Sequence, residues 1–224
     1  MNLCYMRLRI ALLLLAAITC AAQTSRDKEP LCDQQPTKRV DVSDADAAIL
    51  GLAISRASLK DVQAKLGKAT IERVSRDEES DTAICYLSPA DGTVLVFYSG
   101  AMGGWTDITH FALWSRAAMY PHRSQCTAST LVSQNVATAS GLRLGLTQKQ
   151  LEEIAGKPTK SGAVTSKYEY LCRRKMTADE INRFKDANNW DATSDAYFDR
   201  MSWINVRYAR SLVSRIEVGR IESD

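Results

Sequence analysis

Along SWINVRY, residues 202–208, positions alternate strictly. Ile204, Val206 and Tyr208 face one way and Trp203, Asn205 and Arg207 the other, as the period of two in a strand dictates. The full stretch YFDRMSWINVRYA (197–209) is one of six predicted strands. In the first half, DTAICYLSP, GTVLVFYSG and TDITHFALWSR read as three strands, separated by turn signals at Pro89–Gly92 and Gly100–Gly104. In the second half SKYEYLC, the stretch 197–209 and SLVSRIEVGRIE read as three more.

Helical segments stand before each set of strands. Ser58 caps LKDVQAKLG and Thr147 caps QKQLEEIAG, since a hydroxyl there accepts from an early helical N–H. Gly67 and Gly156 sit where a left-handed C-terminal residue is wanted, and Pro158 forbids continuation. A third helix is predicted in an insertion over 176–188, with Thr177 and Glu180 forming a capping box. A polar loop, NNWDATSD, follows over 188–195.

Ser58 and Thr147 lie 89 positions apart, and so do Gly67 and Gly156. At the same offset Lys60 matches Lys149, Val62 matches Leu151, Lys68 matches Lys157 and Thr70 matches Thr159. Tyr86-Leu87 returns 84 positions later as Tyr170-Leu171. Shared caps, stops and spacing predict an internal repeat. The expected fold is α+β: two tandem repeats, 43–123 and 124–224, each with short helices on one face of an antiparallel sheet. Val62 and Leu151 are then expected in equivalent buried sites.

The series Gly145, Leu146, Thr147, Leu151, Gly156, Pro158 resembles the helical unit of the SmpA/OmlA family, the BamE-like small lipoproteins of the outer-membrane assembly machine. The first half keeps Ser58, Val62 and Gly67 but has Ala69 in place of the proline. β-Lactamase inhibitor protein is similar in carrying two such units in tandem. The resemblance covers about fifteen residues per half plus strand order, and implies helices on one face of an antiparallel sheet. No contact residue of the family falls inside the matched motif, so none is carried over.

Composition changes the picture mainly through compartment. Arg7 and Arg9 precede an apolar run, Ile10 to Ile18, followed by small residues. That layout predicts a secretory signal peptide over 1–22, cleaved after Ala22. The run is shorter than the roughly 20 residues a membrane span needs. A rival reading lipidates Cys20 and would tether the chain to a membrane, but Ala17 and Thr19 match the lipoprotein box poorly. Residues 23–42 form an N-terminal segment. Losing the two signal arginines takes the formal net charge from +3 to +1, which leaves no electrostatic footprint for nucleic acid. The expected location is periplasmic or secreted.

Four cysteines remain in the mature chain: Cys32, Cys85, Cys126 and Cys172. An even count in an exported protein argues for disulfides. Of the three possible pairings, Cys32–Cys85 with Cys126–Cys172 is favoured, because each pair then stays within one half.

Catalytic signals are weak. His110 and His122 are the only histidines; His110 lies in a predicted strand and His122 lacks further ligands at zinc spacing. Ser99 in YSGAMGGW has no Gly-x-Ser-x-Gly elbow. Neither Gly67-Lys68 nor Gly156-Lys157 completes a phosphate loop, and the acidic run around Asp77–Asp81 lacks the spacing of a calcium loop. No catalytic residue, metal or cofactor is expected.

The remaining signal is the strand face carrying Trp203, Asn205 and Arg207, since Trp and Arg are common interface anchors. With helices on the opposite face, it is the expected protein-binding surface. Trp105 on the SGAMGGW hairpin is the next candidate. The expected function is a non-enzymatic bacterial protein that binds another protein, one of the cell envelope among the candidates. The alternatives are a secreted inhibitor of another enzyme and, behind it, a small hydrolase using His110 or a small-molecule binder.

Overall fold

The structure is a computed structural model that describes residues 30–32, 39–76, 79–188 and 196–223. The predicted signal peptide 1–22, with Cys20, lies outside the described residues, as does nearly all of the predicted loop 188–195.

The three predicted helices are present, and their caps explain their limits. Helix α1 (Leu59–Leu66) starts at Ser58, whose side chain accepts from Asp61 N while Asp61 accepts from Ser58 N. Thr147 and Gln150 close the same box on α2 (Gln148–Ala155). Both helices end at a glycine with positive φ, 103° at Gly67 and 80° at Gly156, a region costly for any residue with a Cβ. Helix α3 (Ala178–Asn188) begins after the Thr177–Glu180 box.

Among the described residues the strands are β1 (Ala48–Ile49), β2 (Leu52–Ala53), β3 (Glu72–Arg76), β4 (Glu79–Leu87), β5 (Val94–Ser99), β6 (His110–Trp114), β7 (Thr127–Ala128), β8 (Lys160–Ser161), β9 (Thr165–Lys175), β10 (Tyr197–Ala209) and β11 (Leu212–Ser223). Strands β1 and β2 form a small hairpin. The rest make one large sheet in the order β3-β4-β5-β6-β11-β10-β9-β8, with β7 added in parallel to β4. It is thus an α+β protein with one large antiparallel sheet and few, short helices. Two runs of four sequential strands meet where β6 pairs with β11, from His110–Gly219 to Trp114–Arg215. Two separate sheets were expected; that pairing fuses them.

One apolar core fills the helix side of the whole sheet. It joins Leu59, Val62 and Leu66 of α1 and Leu151 and Ala155 of α2 to Tyr86, Phe97, Phe111, Tyr168, Ile204 and Ile216 on the strands. Val62 and Leu151 are both fully buried. The Tyr86 hydroxyl donates to Gly67 O at 2.6 Å, tying the end of α1 to the sheet, and burial pushes its pKa up to about 12.

The disulfides correct the expected pairing. Cys32 joins Cys172, and Cys85 joins Cys126, with Cα separations of 5.1 and 4.8 Å. The physical reason lies at the strand edges. Strand β3 covers only part of the outer edge of β4, and β7 lies along the rest, placing Cys126 beside Cys85. Strand β8 covers only the start of β9; further along, Leu31 bridges Arg173 in parallel, with Cys32 N donating to Arg173 O at 2.9 Å. Each bridge therefore staples an added segment to an otherwise open strand edge, a non-local arrangement that within-half spacing does not reveal.

The stretch Asp41–Asp44 is also held by charge at one end of the sheet, on the helix side. Arg200 pairs with Asp41 and Glu222 at 2.7 Å each, Arg174 with Glu222 and Glu180 at 2.7 and 2.9 Å, and Arg220 with Asp44 at 2.8 Å. The Arg174 hydrogen bond draws the Glu180 pKa down to about 2. Burial alone would raise Glu222, yet its hydrogen bond from Arg174 and the charge of Arg200 hold it below the ordinary value. The Arg220 hydrogen bond likewise lowers Asp44.

Candidate functional site

Directly paired residues on antiparallel strands project to one side, so the register maps the face turned away from the helices. At one end Leu171, Met201 and Ile221 form a row across β9, β10 and β11. The next row runs Glu169, Trp203, Gly219, His110, Tyr98. Lys167, Asn205, Glu217, Ala112 and Val96 form the third, and Arg207, Arg215, Trp114 and Val94 the fourth.

Over the first half this face is covered. Residues 115–126, with 3-10 turns at Arg116–Ala118 and Arg123–Gln125, lie on it. Tyr120 packs on Trp114 with ring centroids 5.4 Å apart, above a small second core of Ala83, Val94, Val96, Tyr98 and Ala112. The Cys85–Cys126 bridge pins the end of this cover.

Over the second half, Leu171 and Met201 are 46% and 47% exposed and lie directly opposite each other. Lys167 and Arg207 are exposed, and neither has a carboxylate partner among the described residues. Glu169 pairs at 3.6 Å with Lys160. Strand β11 carries one extra residue between the partners of Arg207 and Tyr208; there Ser214 Oγ donates to Arg207 O at 3.1 Å. Arg215, opposite Arg207, turns away over the Trp114 ring at 4.2 Å and pairs with Glu217. Two like charges thus avoid each other, and Arg207 is left facing solvent.

The three residues expected to bind a partner share this face but differ in character. Arg207 is exposed. Trp203 is half-buried: its Nε1 donates to Glu217 Oε1 at 3.1 Å, and its ring lies 5.8 Å from that of His110. It was expected open on this face, and it is only partly so. The indole lies flat on Gly219, where an added Cβ would come within 2.1 Å of the ring. Asn205 is half-buried, and its Oδ1 has no donor among the described residues. Sequence reasoning missed Glu217, 3% exposed, which organises the patch by accepting from Trp203 and pairing with Arg215. An acid set between the apolar Ile216 and Val218 of SLVSRIEVGRIE was the available signal.

His110 is buried, stacked on Tyr98 with centroids 4.3 Å apart, and its Nδ1 lies 3.1 Å from Thr109 Oγ1. Trp105 is 43% exposed at the tip between β5 and β6, with the Arg73 guanidinium 5.8 Å from its ring. Among the described residues, one group has metal-ligand spacing: Cys32, Asp41 and Cys172. Its sulfurs are bonded to each other, so neither is the thiolate a metal needs.

A cavity of about 690 Å³ opens at the arginine clamp. Its four arginines, Arg56, Arg174, Arg200 and Arg220, meet the four carboxylates of Asp41, Asp44, Glu180 and Glu222. The charges in its wall are balanced, and their ion pairs tie Asp41, Asp44 and α3 to the sheet.

No family model matches this chain, and no curated protein does. Among solved structures it is similar to a Streptococcus mutans protein described as a "putative beta-lactamase inhibitor protein". The match has 11% identity and a TM-score of 0.23, over 90% of this chain and 94% of that one. A likeness this distant carries nothing about function.

Proposed function

We propose that this chain is an exported bacterial protein-binding module with no catalytic role, working in the periplasm. The supporting observation is the uncovered half of the sheet. There, apolar Leu171 and Met201 lie at one end of the face, and Lys167 and Arg207, two cations without carboxylate partners among the described residues, lie toward the other. Burying such cations against an apolar partner would leave them uncompensated. The complementary partner is therefore a protein segment that brings carboxylates to Lys167 and Arg207 and an apolar side chain to Met201. Two disulfides suit an oxidising compartment, and among the described residues no helix is long and apolar enough to cross a membrane. We read the two four-strand runs as a duplicated unit, since a capped helix precedes each and the caps stand 89 positions apart.

The test begins with affinity capture from a cross-linked envelope extract, comparing the wild type with Lys167→Glu/Arg207→Glu. The captured protein is then purified and titrated against both. Saturable binding by the wild type, weakened at least about tenfold by the charge reversal, supports the reading. Equal affinity for the two removes this face from the account.

A further inference from the structure

A second cavity lies at one end of the seam between β6 and β11. It is a groove of about 370 Å³, within the range of small-molecule sites. Both halves of the chain build its wall. Asp91 comes from the β4–β5 turn, Arg116 from the cover, Gln134 and Arg143 from the connection before α2, and Ser214 from β11.

Its charges are not balanced, in contrast to the clamp cavity. Arg116 and Arg143 have no carboxylate partner among the described residues; Arg143 makes one long bond, Nη1 to Leu144 O at 3.3 Å. Asp91 is the one carboxylate among the lining residues described, and its oxygens are already engaged. Thr93 N donates to Oδ1 at 2.9 Å and Gln134 N to Oδ2 at 2.8 Å. Behind the same turn Arg123 donates to Gly92 O at 2.6 Å, adding a third guanidinium to the neighbourhood. A concave site with excess positive charge concentrates anions. A planar guanidinium fork matches the paired oxygens of a carboxylate or phosphate.

We propose that this groove binds a small oxyanion, a phosphate or carboxylate group, between Arg116 and Arg143. Neither residue lies on the open face proposed to bind protein, so the site stands independently of that reading. Because both halves line it, an anion there would bridge them across the seam.

The test is isothermal titration of the mature, disulfide-bonded protein with inorganic phosphate and, separately, with succinate, at low ionic strength. The variants are Arg116→Gln/Arg143→Gln and, as a control on an exposed cation outside both sites, Lys60→Gln. The expected result is one saturable site for at least one of the anions, weakened about tenfold or more in the double variant and unchanged in Lys60→Gln. Binding of phosphate alone assigns a phosphoryl ligand, and of succinate alone a carboxylate. Should the double variant fold poorly, Arg116→Gln at its exposed position gives the same reading. No saturation by either anion below roughly 100 mM, or equal affinity in wild type and variant, overturns the proposal.

Discussion

The strands β5 and β10 teach opposite lessons about the same sheet. All six residues of Val94–Ser99 are buried, because α1 covers one face and residues 115–126 the other. Along Met201–Tyr208 buried positions alternate with exposed or half-buried ones, because among the described residues only the helix side is covered. An unbroken apolar run signals burial on both faces, and alternation signals one face left to water. The sheet is therefore a closed sandwich at one end and an open platform at the other.

The strongest way to break this comparison is to release the cover. Replacing Cys85 and Cys126 together with serine frees a bridge between residues 41 positions apart. Chain entropy puts the cost at about 4 kcal/mol, read as a lower urea midpoint at pH 7. A loss below about 1 kcal/mol would mean that the cover holds without its staple.

Matched substitutions on the two strands sharpen the contrast. Val96→Ser removes buried methyl groups and inserts a hydroxyl, and should cost about 2–3 kcal/mol. Arg207→Ser, on the same face of the open half, should stay within about 0.5 kcal/mol. Equal costs in chemical denaturation would show that both halves are covered. Gly219→Ala tests the join between them. Its new methyl group would occupy the space of the Trp203 indole, costing about 1–3 kcal/mol and shifting tryptophan emission to the red. An unchanged spectrum would place the indole elsewhere.

The clamp predicts a smaller effect with a definite sign. A carboxylate with a depressed folded pKa adds stability above its unfolded pKa and loses it as pH falls through the folded value. For Glu180 the window runs from the ordinary 4.5 down to about 2. The stability gap between wild type and Glu180→Gln should be full at pH 7 and shrink across that range. A gap that widens on acidification would contradict the Arg174–Glu180 pairing.

Local chemistry was readable where it decides structure locally. Ser58, Thr147 and Thr177 announced three helix starts, and alternation set the faces of β10 correctly. Strands β3 and β8 were missed because edge strands of five and two residues carry too little pattern. The β6–β11 pairing and the disulfide partners depend on which distant segments lie together, which no window of sequence contains. The face of Trp203, Asn205 and Arg207 was legible, but the half-burial of Trp203 was not, because it depends on Gly219 across the strand pair. Even so, the run GTVLVFYSG already carried the signature of a strand covered on both sides.

Site-specific photocross-linking tests the open platform most directly. A photoreactive residue is placed at Met201 or Leu171, or at Met119, which is 77% exposed on the cover. In the periplasm, positions 201 and 171 should yield the same cross-linked partner, through a peptide rich in Asp and Glu, and position 119 should not. Adding Lys167→Glu/Arg207→Glu should abolish the product without lowering the urea midpoint. A partner cross-linked equally from Met119, or one that survives the charge reversal, would contradict the claim that the uncovered half of the sheet is the binding face.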